Sequence, residues 1–239
     1  MSLNVVEISK AFGGRGIVNG LSFHVQQGEV VGLLGPNGAG KTTAFYITVG
    51  LIRPDSGKVF FNEREVTRYS LDKRARMGMG YLSQEPSILR YLTVEDNIQC
   101  ILESLPLTKS ERKIKLEELL QELHLHPLAK KLAISLSGGE RRRLEITRAL
   151  ATHPSLLLLD EPFANIDPIS VNEVKQMIRH LSQKKISILI TDHNAREIFS
   201  IVDRTYLVQD GKVSFSGTVS ELLQHSETRR TYLGEDFIL

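Results

Sequence analysis

Cysteine is nearly missing from this sequence: Cys100 is the only one among 239 residues. An intrachain disulfide is therefore excluded, and the chain fits a reducing compartment. Long apolar runs are missing too. A membrane-spanning helix needs roughly 20 consecutive apolar residues, and nothing in the sequence approaches that, so a soluble chain is expected, with any membrane role exercised through a partner. The opening "MSLNVVEISK" has no basic segment leading into an apolar core, so no signal peptide is expected. Nor is there an excess of charge: 30 Lys and Arg stand against 28 Asp and Glu, a formal balance of +2. That gives no electrostatic reason to expect nucleic acid as a partner. Arg141, Arg142 and Arg143 form a basic run, but three such residues on a helix face read as solvated charge. Internal repeats and low-complexity linkers are also lacking.

What is present is ordinary globular material, 41% apolar and 24% charged, long enough for one large domain or a domain with an insertion. Short apolar runs alternate with helical patterns, which suggests an α/β domain with a mostly parallel sheet. "EVVGLLG" (Glu29–Gly35), "SLLLLDE" (Ser155–Glu161) and "ISILITDH" (Ile186–His193) read as buried strands ending in polar residues. In such sheets ligands bind at the carboxyl ends of strands. The first 30 residues and Lys58–Val66 look antiparallel, and "YLVQDGKVSF" is a hairpin turning at Asp210 and Gly211. From Glu85 to Ala151 helix signals replace strand signals. "TKSE" (Thr108–Glu111) has capping-box spacing, and Leu116, Leu119, Leu120 and Leu123 follow on one helical face. The expected division is 1–84 and 152–217 for two parts of the sheet domain, 85–151 for an inserted helical subdomain, and 218–239 for a C-terminal extension.

Gly35, Pro36, Asn37, Gly38, Ala39, Gly40, Lys41 and Thr42 fit G-x-x-x-x-G-K-[ST] between a strand and a helix, with Thr43 following. Glycines let backbone N–H groups turn inward around phosphates, and the helix N-terminus adds positive potential. Lys41 can reach β- and γ-phosphates, and the Thr42 hydroxyl can ligate Mg²⁺. Asp160 and Glu161 follow four leucines, so a buried strand delivers two carboxylates to the same edge. Asp160 suits a Mg²⁺ position, and Glu161 suits the general base that orients an attacking water. A helix cap is the alternative use of two adjacent acids, but Pro162 and the strand-end position favour chemistry. His193 is expected where the last strand reaches that edge, near a γ-phosphate. Gln84, where the sheet domain gives way to the helical segment, can contact Mg²⁺ or water when nucleotide is bound; otherwise it is a solvated loop residue.

"LSGGE" (Leu136–Glu140) raises a different question, because it opens a helix as a second phosphate-binding element without a lysine. Ser137 and Glu140 have capping-box spacing, which leaves Gly138 and Gly139 unexplained. A Gly-Gly step permits close backbone approach to a ligand at a helix N-terminus. Such an element makes sense if it completes the site of another molecule, two chains packing head to tail about a two-fold axis.

"GPNGAGKTT", Gln84, "LSGGE", "LLLLDEP", "NID" and His193, in this order over essentially the whole chain, resemble the nucleotide-binding subunit of ATP-binding-cassette transporters. The resemblance implies a P-loop NTPase (RecA-like) core with an antiparallel β-subdomain and an inserted helical subdomain, using ATP and Mg²⁺. It implies that Phe12 stacks on adenine, that Asp167 communicates across a homodimer, and that Ser137, Gly138, Gly139 and Glu140 form a signature facing the opposite ATP. The "NID" segment departs from the commoner Ser-Ala-Leu-Asp but keeps the Asp. Within the family, "GLLGPNGAGKTTAFY", "LSGGERRRLEITRAL" with "LLLLDEPFANIDPISV", and the ending "YLGEDFIL" resemble the ATPases of lipopolysaccharide export; those of branched-chain amino-acid import are the nearest alternative. This implies a peripheral, cytoplasmic position on the inner membrane, with two transmembrane subunits as partners. Ile88, Leu89, Tyr91 and Leu92 offer apolar surface for a groove accepting a partner helix, or else form the subdomain core. Tyr232, Leu233 and Phe237 are apolar for a free tail, so the end of the chain is expected to dock. Soluble cassette proteins usually carry two cassettes or a long coiled coil, and GTP switches or small-molecule kinases do not explain "LSGGE".

Overall fold

Period-two alternation in the apolar strands sends their side chains to two separate cores. In the computed structural model, which describes residues 1–85, 87–225 and 232–233, β1 (Leu3–Phe12), β2 (Arg15–Val25), β4 (Ser56–Phe61) and β5 (Arg64–Glu65) form an antiparallel sheet in the order β2-β1-β4-β5. The second sheet runs β10-β9-β3-β8-β7-β6, from β3 (Val30–Leu34), β6 (Met79–Leu82), β7 (Leu156–Asp160), β8 (Ser187–Thr191), β9 (Arg204–Gln209) and β10 (Lys212–Gly217). All its neighbours pair in parallel except β9 and β10. The β9–β10 hairpin turns at Asp210 and Gly211, whose φ values of 48° and 76° suit a tight hairpin turn.

Val31, Leu33, Leu156, Leu158 and Leu189 face one side of this sheet, packing with the antiparallel sheet around α1 (Lys41–Val49). Val30, Leu34, Leu157, Leu159 and Ile190 face the other, against the remaining helices. Parallel strands covered on both faces read as continuous apolar runs for this reason. The far end of α1 is fixed by Arg74 of α2 (Leu71–Arg76), a fully buried guanidinium that donates to the carbonyls of Ile47 (2.9 Å), Tyr69 (3.0 Å) and Thr67 (3.2 Å). Burial pulls its pKa down to about 10, and the C-terminal carbonyls of α1 supply the stabilisation that a carboxylate otherwise would.

Between β6 and β7 the described residues hold no strand. They form α3 (Val94–Glu103), α4 (Lys109–Glu122), α5 (Gly138–Leu150) and two short 3-10 turns. Thr108 and Glu111 close the capping box of α4, and Leu119, Leu120 and Leu123 are buried. Of the apolar residues after Gln84, Ile88 is buried, whereas Leu89 and Tyr91 are exposed, together with Leu132 and Ile134. After α6 (Pro168–Gln183) and α7 (Ala195–Phe199), α8 (Val219–Gln224) closes on its own capping box. Tyr232 and Leu233 pack against the core below it, the docking expected of them; Phe237 lies outside the described residues. Among the described residues no helix is long and apolar enough to cross a membrane.

Candidate nucleotide site

The first glycine loop is shaped by backbone conformation. Gly35 and Gly40 have φ of 148° and 98°. A Cβ on them would meet the carbonyl oxygens of Val208 at 2.1 Å and Ile17 at 2.5 Å, so no other residue fits. No side chain caps α1, whose N-terminus follows directly at Lys41, leaving its first amides available to an anion. Lys41 Nζ donates to the carbonyls of Gly35 (2.7 Å) and Pro36 (2.9 Å). Burial lowers its pKa, while the Glu161 carboxylate opposes that shift. A cavity of about 290 Å³ opens here, lined by Asn37, Gly38, Gly40, Lys41, Thr42 and Thr43, by Glu161, Thr191, Asp192 and His193, and by Arg15 and Ile17 of β2. Phe12, 49% exposed at the end of β1, is not in that lining; its ring carries Lys10 Nζ at 5.6 Å.

Asp160 is the last residue of β7 and is buried. Its Oδ1 accepts from the Thr191 hydroxyl at 2.7 Å, while Oδ2 is buried with no hydrogen-bond partner among the described residues. Burial raises its pKa. A buried carboxylate oxygen left without a donor fits a divalent cation. Glu161 follows with φ at 47°, an uncommon backbone for a residue with a side chain. Its Oε2 accepts from Gln84 Nε2 at 2.9 Å and lies 3.6 Å from His193 Nδ1. His193 does not end a strand as expected: β8 stops at Thr191, and His193 projects from the following turn, its side chain 63% exposed. Buried Asp192 fixes that turn, accepting from the amides of Asn194 (2.9 Å) and Phe163 (3.3 Å).

In the "LSGGE" element the capping box is made: Glu140 accepts from the Ser137 amide at 2.8 Å and the Ser137 hydroxyl from the Glu140 amide at 3.2 Å. None of Ser137, Gly138, Gly139 or Glu140 lines the nucleotide cavity of its own chain. Asp167 caps α6, accepting from the amides of Ile169 and Ser170 and from the Ser170 hydroxyl at 2.6 Å.

The model of the ABC transporter family matches residues 18–164 of this chain. The chain belongs to the ABC transporter family. It is 52% identical over 235 residues to the lipopolysaccharide export system ATP-binding protein LptB of Acidithiobacillus ferridurans, covering 98% of each chain. To LptB of Escherichia coli (strain K12) it is 46% identical over 239 residues, 100% of this chain and 99% of that one. Among solved structures it is similar to the ATP-binding cassette MJ1267 of an ABC transporter in its ADP conformation, with a TM-score of 0.87, 28% identity, and coverage of 98% and 99%. As a member of this family the chain is an ATP-hydrolysing enzyme with the P-loop α/β fold.

The residue that holds the acidic turn was missed in the sequence. Arg142 is not solvated charge; it is buried on α5. It donates to the carbonyls of Glu161 (2.9 Å), Pro162 (3.0 Å) and Ser83 (3.4 Å) and pairs with buried Glu145 at 2.9 Å. The left-handed Glu161 and the residue before Gln84 are thus tied to the helix of "LSGGE". Arg15, which the fold brings beside the glycine loop, was passed over as well; a cation soon after Phe12 was the available signal.

Proposed function

We propose that this chain is the ATP-hydrolysing subunit of a lipopolysaccharide-export transporter, working as a homodimer on the cytoplasmic face of the inner membrane against two transmembrane subunits. The observation that carries the transport assignment is likeness to LptB proteins along the whole length, beyond the residues that any nucleotide cassette shares. Hydrolysis follows from the site. Gly35, Gly38 and Gly40 turn backbone amides toward the phosphates, and Lys41 exchanges its two carbonyl partners for β- and γ-phosphate oxygens. Phe12, with Arg15 near it, offers the adenine its stacking face. Asp160, Thr42 and Gln84 are the residues that would hold Mg²⁺, which when bound neutralises phosphate charge. Glu161 orients water and takes its proton as the oxygen bonds to the γ-phosphorus and the bond to ADP breaks. Gln84 orients the Glu161 carboxylate. His193, exposed at the rim, donates to the transferring phosphoryl group.

The signature Ser137–Glu140 sits outside its own chain's cavity, with an α-helix N-terminus behind it. It completes the site of the second copy, and Asp167 carries information across the same two-fold. ATP contacts made only in the closed pair shift the population toward closure. Exposed Leu89 and Tyr91 accept a helix of the membrane partner. The test is a pull-down of tagged chain from native membranes in mild detergent. Two distinct membrane subunits and an envelope-spanning bridge are expected; amino-acid permeases would move the assignment to import, and no membrane protein would favour a soluble role. Substituting Leu89 and Tyr91 with Ala should release the membrane subunits and uncouple ATPase without altering nucleotide binding; retained association would remove the groove.

A further inference from the structure

The two signature glycines are not there for unusual backbone angles, because neither has positive φ and both lie in the first turn of α5. They face their own chain. A Cβ on buried Gly139 would lie 2.2 Å from Ser170 Oγ and 2.6 Å from Ser170 Cβ. Turning the serine side chain moves Oγ but not Cβ, so the clash persists in every rotamer. A Cβ on Gly138 would stand 3.3 Å from Ile166 Cγ2 and 3.4 Å from the Asn165 carbonyl. Ser170 in turn is committed to Asp167, through its amide at 3.0 Å and its hydroxyl at 2.6 Å.

We propose that Ser170 is a positioning residue that seats the signature helix directly on the Asp167 turn, so that the two elements reach a second copy of this chain as one rigid unit. The proposal rests on the composite dimer described above. A helix N-terminus meeting a phosphate across an interface must be placed to about 0.5 Å, and backbone packed on a locked serine meets that demand where two longer side chains would not. On this account it is the missing Cβ of Gly139 that Ser170 requires, which leaves the Gly139 backbone free to serve the partner's nucleotide.

The experiment is a compensation series in the full chain carrying Glu161→Gln, with dimer formation in Na-ATP read by light scattering. Gly139→Ala should weaken dimerisation about tenfold or more, while nucleotide binding to the isolated chain, a site Gly139 does not line, changes less than about twofold. Adding Ser170→Gly should bring dimerisation back to within about threefold of Ser170→Gly alone. A double variant no better than Gly139→Ala, with Ser170→Gly alone still dimerising, would overturn the proposal, as would wild-type dimerisation by Gly139→Ala. Should Gly139→Ala fail to fold, Ser170→Ala carries the test. It removes only Oγ, should keep the fold by circular dichroism, and should weaken dimerisation about threefold; unchanged dimerisation sinks the idea. If Glu161→Gln itself stays monomeric in Na-ATP, the composite dimer fails first and the role of Ser170 with it.

Discussion

Two glycine-bearing turns open helices in this chain, and they use glycine for different reasons. In Gly35–Lys41 the glycines take backbone angles that side chains resist, and the loop closes on its own lysine. In Ser137–Gly139 the backbone is helical, the capping box is complete, and the missing Cβ atoms make room for a neighbouring helix. The first gathers its lysine and its acid from one chain. The second, on the proposed reading, acts only when another molecule meets it. A shared composition thus conceals a conformational need in one place and a steric need in the other.

The sharpest way to separate them starts from the acid between. Glu161→Gln should lower hydrolysis by about 10²- to 10⁴-fold while ATP binding persists, since the glycine loop is untouched, and the trapped pair should appear as a dimer by light scattering. Persistent monomer in ATP would leave the second turn without a purpose. Next, Arg142→Met strips the buried Glu145 of its partner and frees the Glu161 carbonyl. Loss of about 3–5 kcal/mol of stability is expected in denaturant unfolding. Arg143→Met, whose contact with Glu173 is 3.9 Å and partly exposed, should cost at most about 1 kcal/mol. Equal effects would mean that the second turn is not tied to the first through Arg142. Smaller than the Arg142 effect, Gly40→Ala should cost about 1–3 kcal/mol for its backbone angle alone and abolish nucleotide binding to the single chain, measured by equilibrium dialysis. Gly139→Ala should spare that binding.

Much of this was legible in the sequence, for identifiable reasons. Val30–Leu34, Leu156–Asp160 and Ser187–Thr191 lie within the expected strands, because strands covered on both faces leave unbroken apolar runs. The glycine loop was legible because its spacing is local. His193 was placed on a strand because polar residues at a strand end look the same as those in the turn beyond it. Arg142 was lost among three consecutive arginines, where nothing local says which one faces inward. The close fit of Gly139 against Ser170 could not be read at all, since Ser170 belongs to another helix and meets it only in the folded chain.

The last contrast concerns how each turn handles a buried acid. Glu145, behind the signature, is pushed up by burial but has Arg142 beside it. Asp160, behind the glycine loop, is also pushed up by burial, and its Oδ2 has no donor among the described residues. Because the folded pKa lies above the unfolded one, this group's contribution to stability is fully present only below the unfolded value, near pH ~3.9. It is lost as pH rises through the folded value. As pH rises the nucleotide-free protein therefore loses that contribution, and Asp160→Asn, which removes the titration, should raise its Tm at pH 7 by about 2–4 °C for each kcal/mol relieved, even as hydrolysis is lost. The gain should shrink as calorimetric scans move down toward pH ~4. A fall in Tm at pH 7 would mean that Asp160 is already satisfied without nucleotide, and that the first turn, like the second, carries its own counter-charge.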